Sequence, residues 1–360
     1  SDSDGAMGSR RALIDIWKDD DEHTELLLEF RRTLAADTRD VNDVLSYAGA
    51  LYAAGHASAG AAMFELAETM GHELSSDQRG KLQENPPRKM AADEAYRGSV
   101  NADDRAELII DDADEPMTAV LRTLWGAAPL LWSEPEDALE RCGVIGAERV
   151  PPTRPLTAVS IFPRVAAALD TPATMLYATR VPDAPDVQVV CVATPLVVLG
   201  PRLQGLDDRA VSELELRFLL GRAAELARPE RVIAAGLPRD DFAELLAALR
   251  RVFGGSGESQ NQEERDRDEM LRTTLPVKMR TKLEQLLSSA SDRDLDVDRF
   301  LAACERAADR AGLLVCGDIA TATRFAGEMS KEGRILTRHL TTTALKPRYL
   351  AVRKLLGLSG

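Results

Sequence analysis

Residues able to do chemistry are sparse along this 360-residue chain. Its four histidines, His23, His56, His72 and His339, are scattered. A zinc site on one helix needs two imidazoles at i and i+4, so that both share a face. A glutamate between them then takes the proton of the metal-bound water. No such set occurs. The four cysteines, Cys142, Cys191, Cys304 and Cys316, sit singly in apolar runs without a CxxC pair. They read as buried, reduced thiols. Cys304 shares a helical stripe with Leu301, Ala308 and Ala311, a core position rather than a nucleophile's. Thr341, Thr342 and Thr343 follow His339, a proximity with almost no information. Gly254-Gly255-Ser256-Gly257 lacks the lysine and strand-to-helix setting of a phosphate loop. Asp19-Asp20-Asp21-Glu22 lacks calcium-loop spacing and reads as the acidic approach to a helix at Glu25.

The elements that must position any site are mainly helical. Aromatics are only 4% of the residues, so Leu, Ala and Val must build the core, and Ala and Leu cost least in helices. Net charge is -14, which disfavours phosphate backbones and anionic lipid. Against that stands a basic C-terminal segment, Lys331, Arg334, Arg338, Lys346, Arg348, Arg353 and Lys354, with Tyr349 the only ring there to stack on a base. A solvated face, or pairing with the acidic body, accounts for it more cheaply. No apolar run approaches membrane-spanning length. The expectation is a cytoplasmic protein without cofactor, metal, nucleic acid or membrane. Residues 1–9 read as a cloning remnant.

From residue 10 to 74 the pattern is helical. Asp37-Thr38-Arg39-Asp40 separates two stretches, and the second turns at Gly55 into a helix ending near Gly71. Tyr47, Ala48, Gly55, Gly60, Phe64 and Ala67 stand where a tetratricopeptide repeat keeps its characteristic residues, and this part resembles that repeat. Val44 and His72 replace its Trp and Pro. Leu26 to Phe30 looks like the second helix of an incomplete preceding repeat. One and a half repeats cannot bury a solenoid core, so either the rest of the chain caps them or a longer array surrounds them. A plain helical hairpin is the other reading. The resemblance implies partner binding, and Tyr47, Leu51 and Phe64 are its candidate residues.

Residues 75–150 read as a helical connector. Met117, Val120, Leu121, Leu124, Trp125, Ala128, Leu131 and Trp132 follow one amphipathic stripe, which is either core or a tryptophan platform for a ligand. Glu134-Pro135 starts a short helix. Val150 to Pro155 reads as a linker opening a domain over 151–360. Thr174 to Val181, Val187 to Val192 and Leu196 to Leu199 are β-rich and predict a small antiparallel sheet. Leu206-Asp207-Asp208 caps a helix that is apolar almost all round from Phe218 to Ala227 and must be buried. Helices follow at Asp240 to Val252, Val277 to Leu287 and Val297 to Leu314. Residues 254–269 carry no apolar side chain and read as a disordered loop.

This order of strands, Ala210-Val211-Ser212-Glu213-Leu214-Glu215-Leu216, a buried helix, and then Glu305-Arg306-Ala307-Ala308-Asp309-Arg310-Ala311-Gly312 resembles the gluzincin metallopeptidases that include HtpX and the CAAX prenyl proteases. The resemblance covers Thr174 to Leu314. That family carries HExxH on the buried helix and ExxxD on the later one. Here Gly221 matches a common family residue. Arg222, Ala223 and Leu226 replace the first His, the catalytic Glu and the second His, while Glu305 and Asp309 match the third ligand and its supporting Asp. An always-charged guanidinium is no ligand and repels a metal cation. Glu225 is one residue off the second His position and does not rescue the site. The resemblance thus implies the fold without the activity: an α+β, mostly helical chain holding a degenerate (pseudo-)metallopeptidase domain of bacterial type. Because the family brings residues 222 and 305 to one ion, Arg222 and Glu305 are expected to face each other. Otherwise Arg222 reaches solvent and Glu305 pairs with Arg306 or another neighbour. The function expected is a non-catalytic protein-binding scaffold or adaptor, with Val187 to Val192 or its neighbour open to an added peptide strand. The alternatives are a hydrolase with an unrecognised site, or a structural fragment of a longer repeat protein.

Overall fold

A computed structural model of the chain describes residues 2–17, 24–86, 88, 90–110, 115–132, 134–206, 210–255, 257–329 and 338–358. The chain divides into two compact units, Ser1–Val100 with Leu313–Gly360, and Asn101–Gly312. The break expected near residue 150 is therefore not where the division falls, and the first unit draws on both ends of the chain.

The first unit opens with α1 (Asp2–Trp17), α2 (Thr24–Thr38), α3 (Val41–Ala53), α4 (Ala57–Thr69) and α5 (Ser76–Glu84). Sequence and structure agree closely here, because the punctuation is local. Asp40 caps α3 by accepting from the Asn42 N–H at 2.8 Å, and Gly55 turns the chain with φ +81°. A Cβ at Gly60 would overlap the Tyr52 ring, so the missing side chain is what lets α3 and α4 close on each other. Ser75 and Gln78 form a capping box that starts α5.

In the second unit, α6 (Ala102–Leu108), α7 (Glu115–Trp125), α8 (Ala128–Leu131) and α9 (Pro135–Arg141) precede β1 (Glu148–Arg149) and α10 (Thr157–Ala168). The tryptophan stripe is not one helix: it breaks at Gly126. Met117, Val120, Leu121 and Leu124 are buried as core, and Trp125 and Trp132, both half-buried, stack with centroids 6.5 Å apart. Helix α10 follows the proline-rich segment directly, and prolines at both ends of this stretch masked its helical pattern. Strands β2 (Met175–Ala178), β3 (Val187–Val190) and β4 (Leu196–Leu199) join β1 in the order β1-β2-β4-β3. Since β2 and β4 run parallel, the sheet is mixed rather than antiparallel. The 190–196 turn makes a β3–β4 hairpin, and β4 then lies inside it against β2.

Next come α11 (Glu213–Leu226), α12 (Val232–Gly236), α13 (Arg239–Phe253), α14 (Gln262–Thr274), α15 (Val277–Ser289) and α16 (Val297–Cys316). The cap of α11 is Ser212; Asp207 and Asp208 lie outside the described residues. The loop expected over 254–269 is corrected by α14. Asn261 accepts from the Glu264 N–H at 2.9 Å, and Arg251 holds the buried Asp268 at 3.0 Å. A helix of charged residues is anchored by an ion pair where apolar contacts are few. The chain closes in the first unit with α17 (Ile319–Met329), α18 (Arg338–Ala344) and α19 (Pro347–Leu355). Helix α17 packs on α4, so a C-terminal helix covers the N-terminal hairpin. Among the described residues no helix is long and apolar enough to cross a membrane.

Candidate functional site

Helix α11 begins in a capping box. The Ser212 hydroxyl accepts from the Glu215 N–H at 3.3 Å, and the Glu215 carboxylate accepts from the Ser212 N–H at 2.6 Å. From Leu216 to Glu225 every residue is buried, as expected of a helix covered by α10 on one side and β3 on another. Helix α16 approaches it at Gly312, where a Cβ would stand 2.8 Å from the Phe218 carbonyl oxygen and 2.7 Å from its ring. No larger residue fits without displacing main chain.

That approach delivers Arg222 to α16. Its guanidinium pairs with both Glu305 and Asp309. The side chains of Arg222 and Asp309 are 11% and 9% exposed, while Glu305 is 59% exposed. The Asp309 arm therefore lies in low dielectric and the Glu305 arm at the rim. The guanidinium carbon also sits 6.0 Å from the Phe218 ring centroid. Placing Arg222 on this helix without a partner would cost several kcal/mol. Glu305 and Asp309, one helical turn apart, remove that cost together.

The residues at this position do not fit the zinc of the resembled family. Two carboxylates remain, but a permanent cation with no lone pair bridges them, Ala223 has no acid–base group, and Leu226 has no donor. Among the described residues, no group of three His, Cys, Asp or Glu is arranged to hold an ion.

Glu225 points away into a second charged cluster that the sequence did not suggest. It is fully buried and accepts two bonds from Arg105 of α6, at 2.5 and 2.6 Å, with Arg231 at 2.9 Å. Arg105 also reaches Glu230 at 3.1 Å, and Arg228 reaches Glu230 at 3.3 Å. Burial alone would raise the Glu230 carboxyl, but Arg105, Arg228 and Arg231 outweigh it and hold it below the ordinary value. The cluster ties α6 to the end of α11. Glu225, Arg228, Glu230 and Arg231 are close in the chain, but Arg105 lies 120 or more residues from Glu225 and Glu230, so no spacing signals its part in the cluster.

The binding candidates need correction. Tyr47, Leu51 and Phe64 are 4%, 5% and 2% exposed, and desolvation lifts the Tyr47 hydroxyl to about 12. They build the core and offer no surface. The first unit instead presents a groove of about 1220 Å³, with mixed polar and apolar walls, where the ends of α2 and α4 meet α17 and α18. Arg39, Glu68, Thr323, Arg324 and Glu328 are among its lining. The Arg39 backbone has φ +51°, an uncommon left-handed conformation for a side chain of this size.

The β3 edge is also shorter than expected. Gly200 N–H donates to the Asp186 carbonyl, so the even-numbered residues of β3 bond to β4 and the odd-numbered face outward. Of these, Cys191 N–H is already bonded to the Gly236 carbonyl of α12 at 3.1 Å. Val189 is buried, so of the outward-facing residues of β3 only Val187 stands partly at the surface.

In the basic segment, Arg353 and Tyr349 are buried, so Tyr349 cannot stack on a base; Lys331 and Arg334 lie outside the described residues, as do His23 and the Asp19–Glu22 run. Cys191, Cys304 and Cys316 are buried free thiols, while Cys142 is half-buried with its sulfur 3.5 Å from the Gly236 carbonyl. Compared with protein-family models, with curated proteins and with solved structures, the chain finds no match.

Proposed function

We propose that this chain is a non-catalytic protein-binding scaffold, with a second unit that is a degenerate gluzincin-like peptidase domain. The observation that carries the reading is the Arg222 guanidinium held between Glu305 and Asp309. In the resembled family the positions of Arg222 and Glu305 converge on one cation, with that of Asp309 in support. Here they also converge, and the cation is a side chain. It neutralises the carboxylates as an ion would, yet it has no open coordination position and activates no water. The tetratricopeptide-like helices and the mixed polar and apolar groove of the first unit support a polypeptide as the partner. The reading requires no cofactor, nucleic acid or membrane, and it is consistent with a cytoplasmic setting.

Two measurements test it. Metal analysis of purified protein incubated with excess zinc is expected to find substoichiometric zinc. Stoichiometric zinc, with chelator-sensitive peptide cleavage, would sink the proposal. Affinity capture from the native host is expected to recover a specific protein with the unaltered chain and to lose it with Thr323→Arg, which fills the groove. Equal recovery by both would remove the groove from the reading.

A further inference from the structure

Glu65 is 5% exposed on α4, among Ala61, Ala62, Met63, Phe64, Leu66 and Ala67. Its carboxylate belongs to no part of the proposed site, yet it is placed with care. Oε1 accepts from the main-chain N–H groups of Ile319 and, at 3.2 Å, Ala320, the first two residues of α17. Asp318 takes the next free donor, accepting from Thr321 N–H at 2.6 Å. Two carboxylates thus share one helix start, a position that favours negative charge.

The other oxygen is less well served. Oε2 lies 3.9 Å from the Arg353 guanidinium of α19, beyond hydrogen-bond length, and accepts from no donor among the described residues. Among the described residues, the Tyr349 hydroxyl, also of α19, and the Cys316 thiol of α16 face Glu65 as well, and both are buried. An ionised carboxylate with one oxygen dry and unbonded is costly; protonation relieves that cost, set against the buried Arg353 guanidinium, which favours the ionised form and also faces Asp318.

We propose that Glu65 is a proton-linked latch on α17: as the neutral acid it holds the first turn of α17 on α4, and loss of its proton favours lifting of that turn into water. Burial raises the carboxyl to about 7, with Arg353 opposing and Asp318 adding to the rise. In a lifted, hydrated state the same group titrates near the ordinary value of 4.5. Proton loss across that window therefore favours lifting, by up to about tenfold per pH unit, and the effect levels off above it. Because α17 supplies Ala320, Thr323, Arg324, Gly327 and Glu328 to the groove, that wall responds to pH. This consequence rests on the proposed use of the groove; the latch itself does not.

The test uses the full chain without a partner, so its outcome is independent of groove binding. Amide hydrogen exchange at Ile319, Ala320 and Thr321 is compared between the unaltered chain and Glu65→Gln at matched pH, which cancels the intrinsic exchange chemistry. The ratio of the two rates is expected to climb about thirtyfold between about pH 5 and about pH 7, then flatten. A ratio that does not change with pH overturns the latch. Should Glu65→Gln not fold, the carboxyl carbon of Glu65 in the unaltered chain is titrated by NMR. A midpoint near neutrality supports the proposal, and one in the ordinary carboxylate range overturns it.

Discussion

Arg222 on α11 and Asp309 on α16 form an ion pair in which both side chains are about one-tenth exposed, whereas Glu305, on the same guanidinium, is more than half in water. The two arms of one arginine thus sit in different dielectrics, and their energetic weights must differ.

Breaking the inner arm is the larger perturbation. Asp309→Ala leaves a buried guanidinium underpaired and is expected to cost about 3–5 kcal/mol. Glu305→Ala removes a solvent-screened contact and is expected to cost about 0–1 kcal/mol. Urea denaturation of both variants measures the order; equal costs would mean that the inner pair is open to water.

Gly312 is constrained by main chain rather than by a movable side chain. Gly312→Ala pushes a methyl toward the Phe218 carbonyl and is expected to lose about 1–3 kcal/mol. Gly49→Ala, whose added carbon meets nothing within 4 Å, serves as the matched control and is expected to be neutral or slightly stabilising. Thermal melts of the two variants distinguish these outcomes.

The Arg105–Glu225 pair is buried within a network, so removing one partner leaves the other with a single remaining contact, Arg105 with Glu230 or Glu225 with Arg231. Glu225→Ala is expected to cost about 3–5 kcal/mol, and the double change Arg105→Met with Glu225→Leu recovers part of that loss, because Arg231 keeps only its longer contact to Glu230. A double-mutant cycle in denaturant measures the coupling, and additive losses would contradict a direct pair.

Glu230 sets a pH dependence of opposite sign to that of Glu65. Its carboxyl is held below the ordinary value in the folded chain, so its contribution is present above the unfolded value of 4.5 and lost as pH falls through the depressed one. Denaturation midpoints taken at neutral and at acid pH should fall more steeply for the unaltered chain than for Glu230→Gln. Parallel curves would place Glu230 outside the network.

Phe64 separates a core role from a binding role. It is 2% exposed and stacks on Tyr52 at 5.6 Å, so Phe64→Ala is expected to destabilise the first unit by about 3–5 kcal/mol. A variant with unchanged stability and lost partner capture would restore Phe64 as a binding residue.

Legibility followed the range of the interaction. The bounds of α3 and α4 were readable because Asp40 and Gly55 act on their own neighbours. Strands β3 and β4 were readable from β-branched runs between prolines. The parallel pairing of β2 with β4 was not, since two antiparallel neighbours and a crossover present the same local pattern. Helix α14 was missed because its anchor is the Arg251–Asp268 pair, and a tally of apolar residues does not register an ion pair. The opposition of Arg222 and Glu305 was reached through a resemblance to a known family; nothing in the spacing of those residues requires it.

By itself the sequence determined what the chemistry lacks. No two imidazoles stand at i and i+4, and an arginine occupies the stretch of the buried helix where the resembled family places its first, so the order of residues offers no HExxH arrangement. It also determined most helix bounds, because caps and turns are settled within a few residues. The tertiary structure alone decided which charges meet: that Arg222 rests between Glu305 and Asp309, that Glu225 turns to Arg105, and that Glu65 holds the start of α17. Ion pairs are set by distance in space and by exclusion of water, and neither is written in the order of the chain.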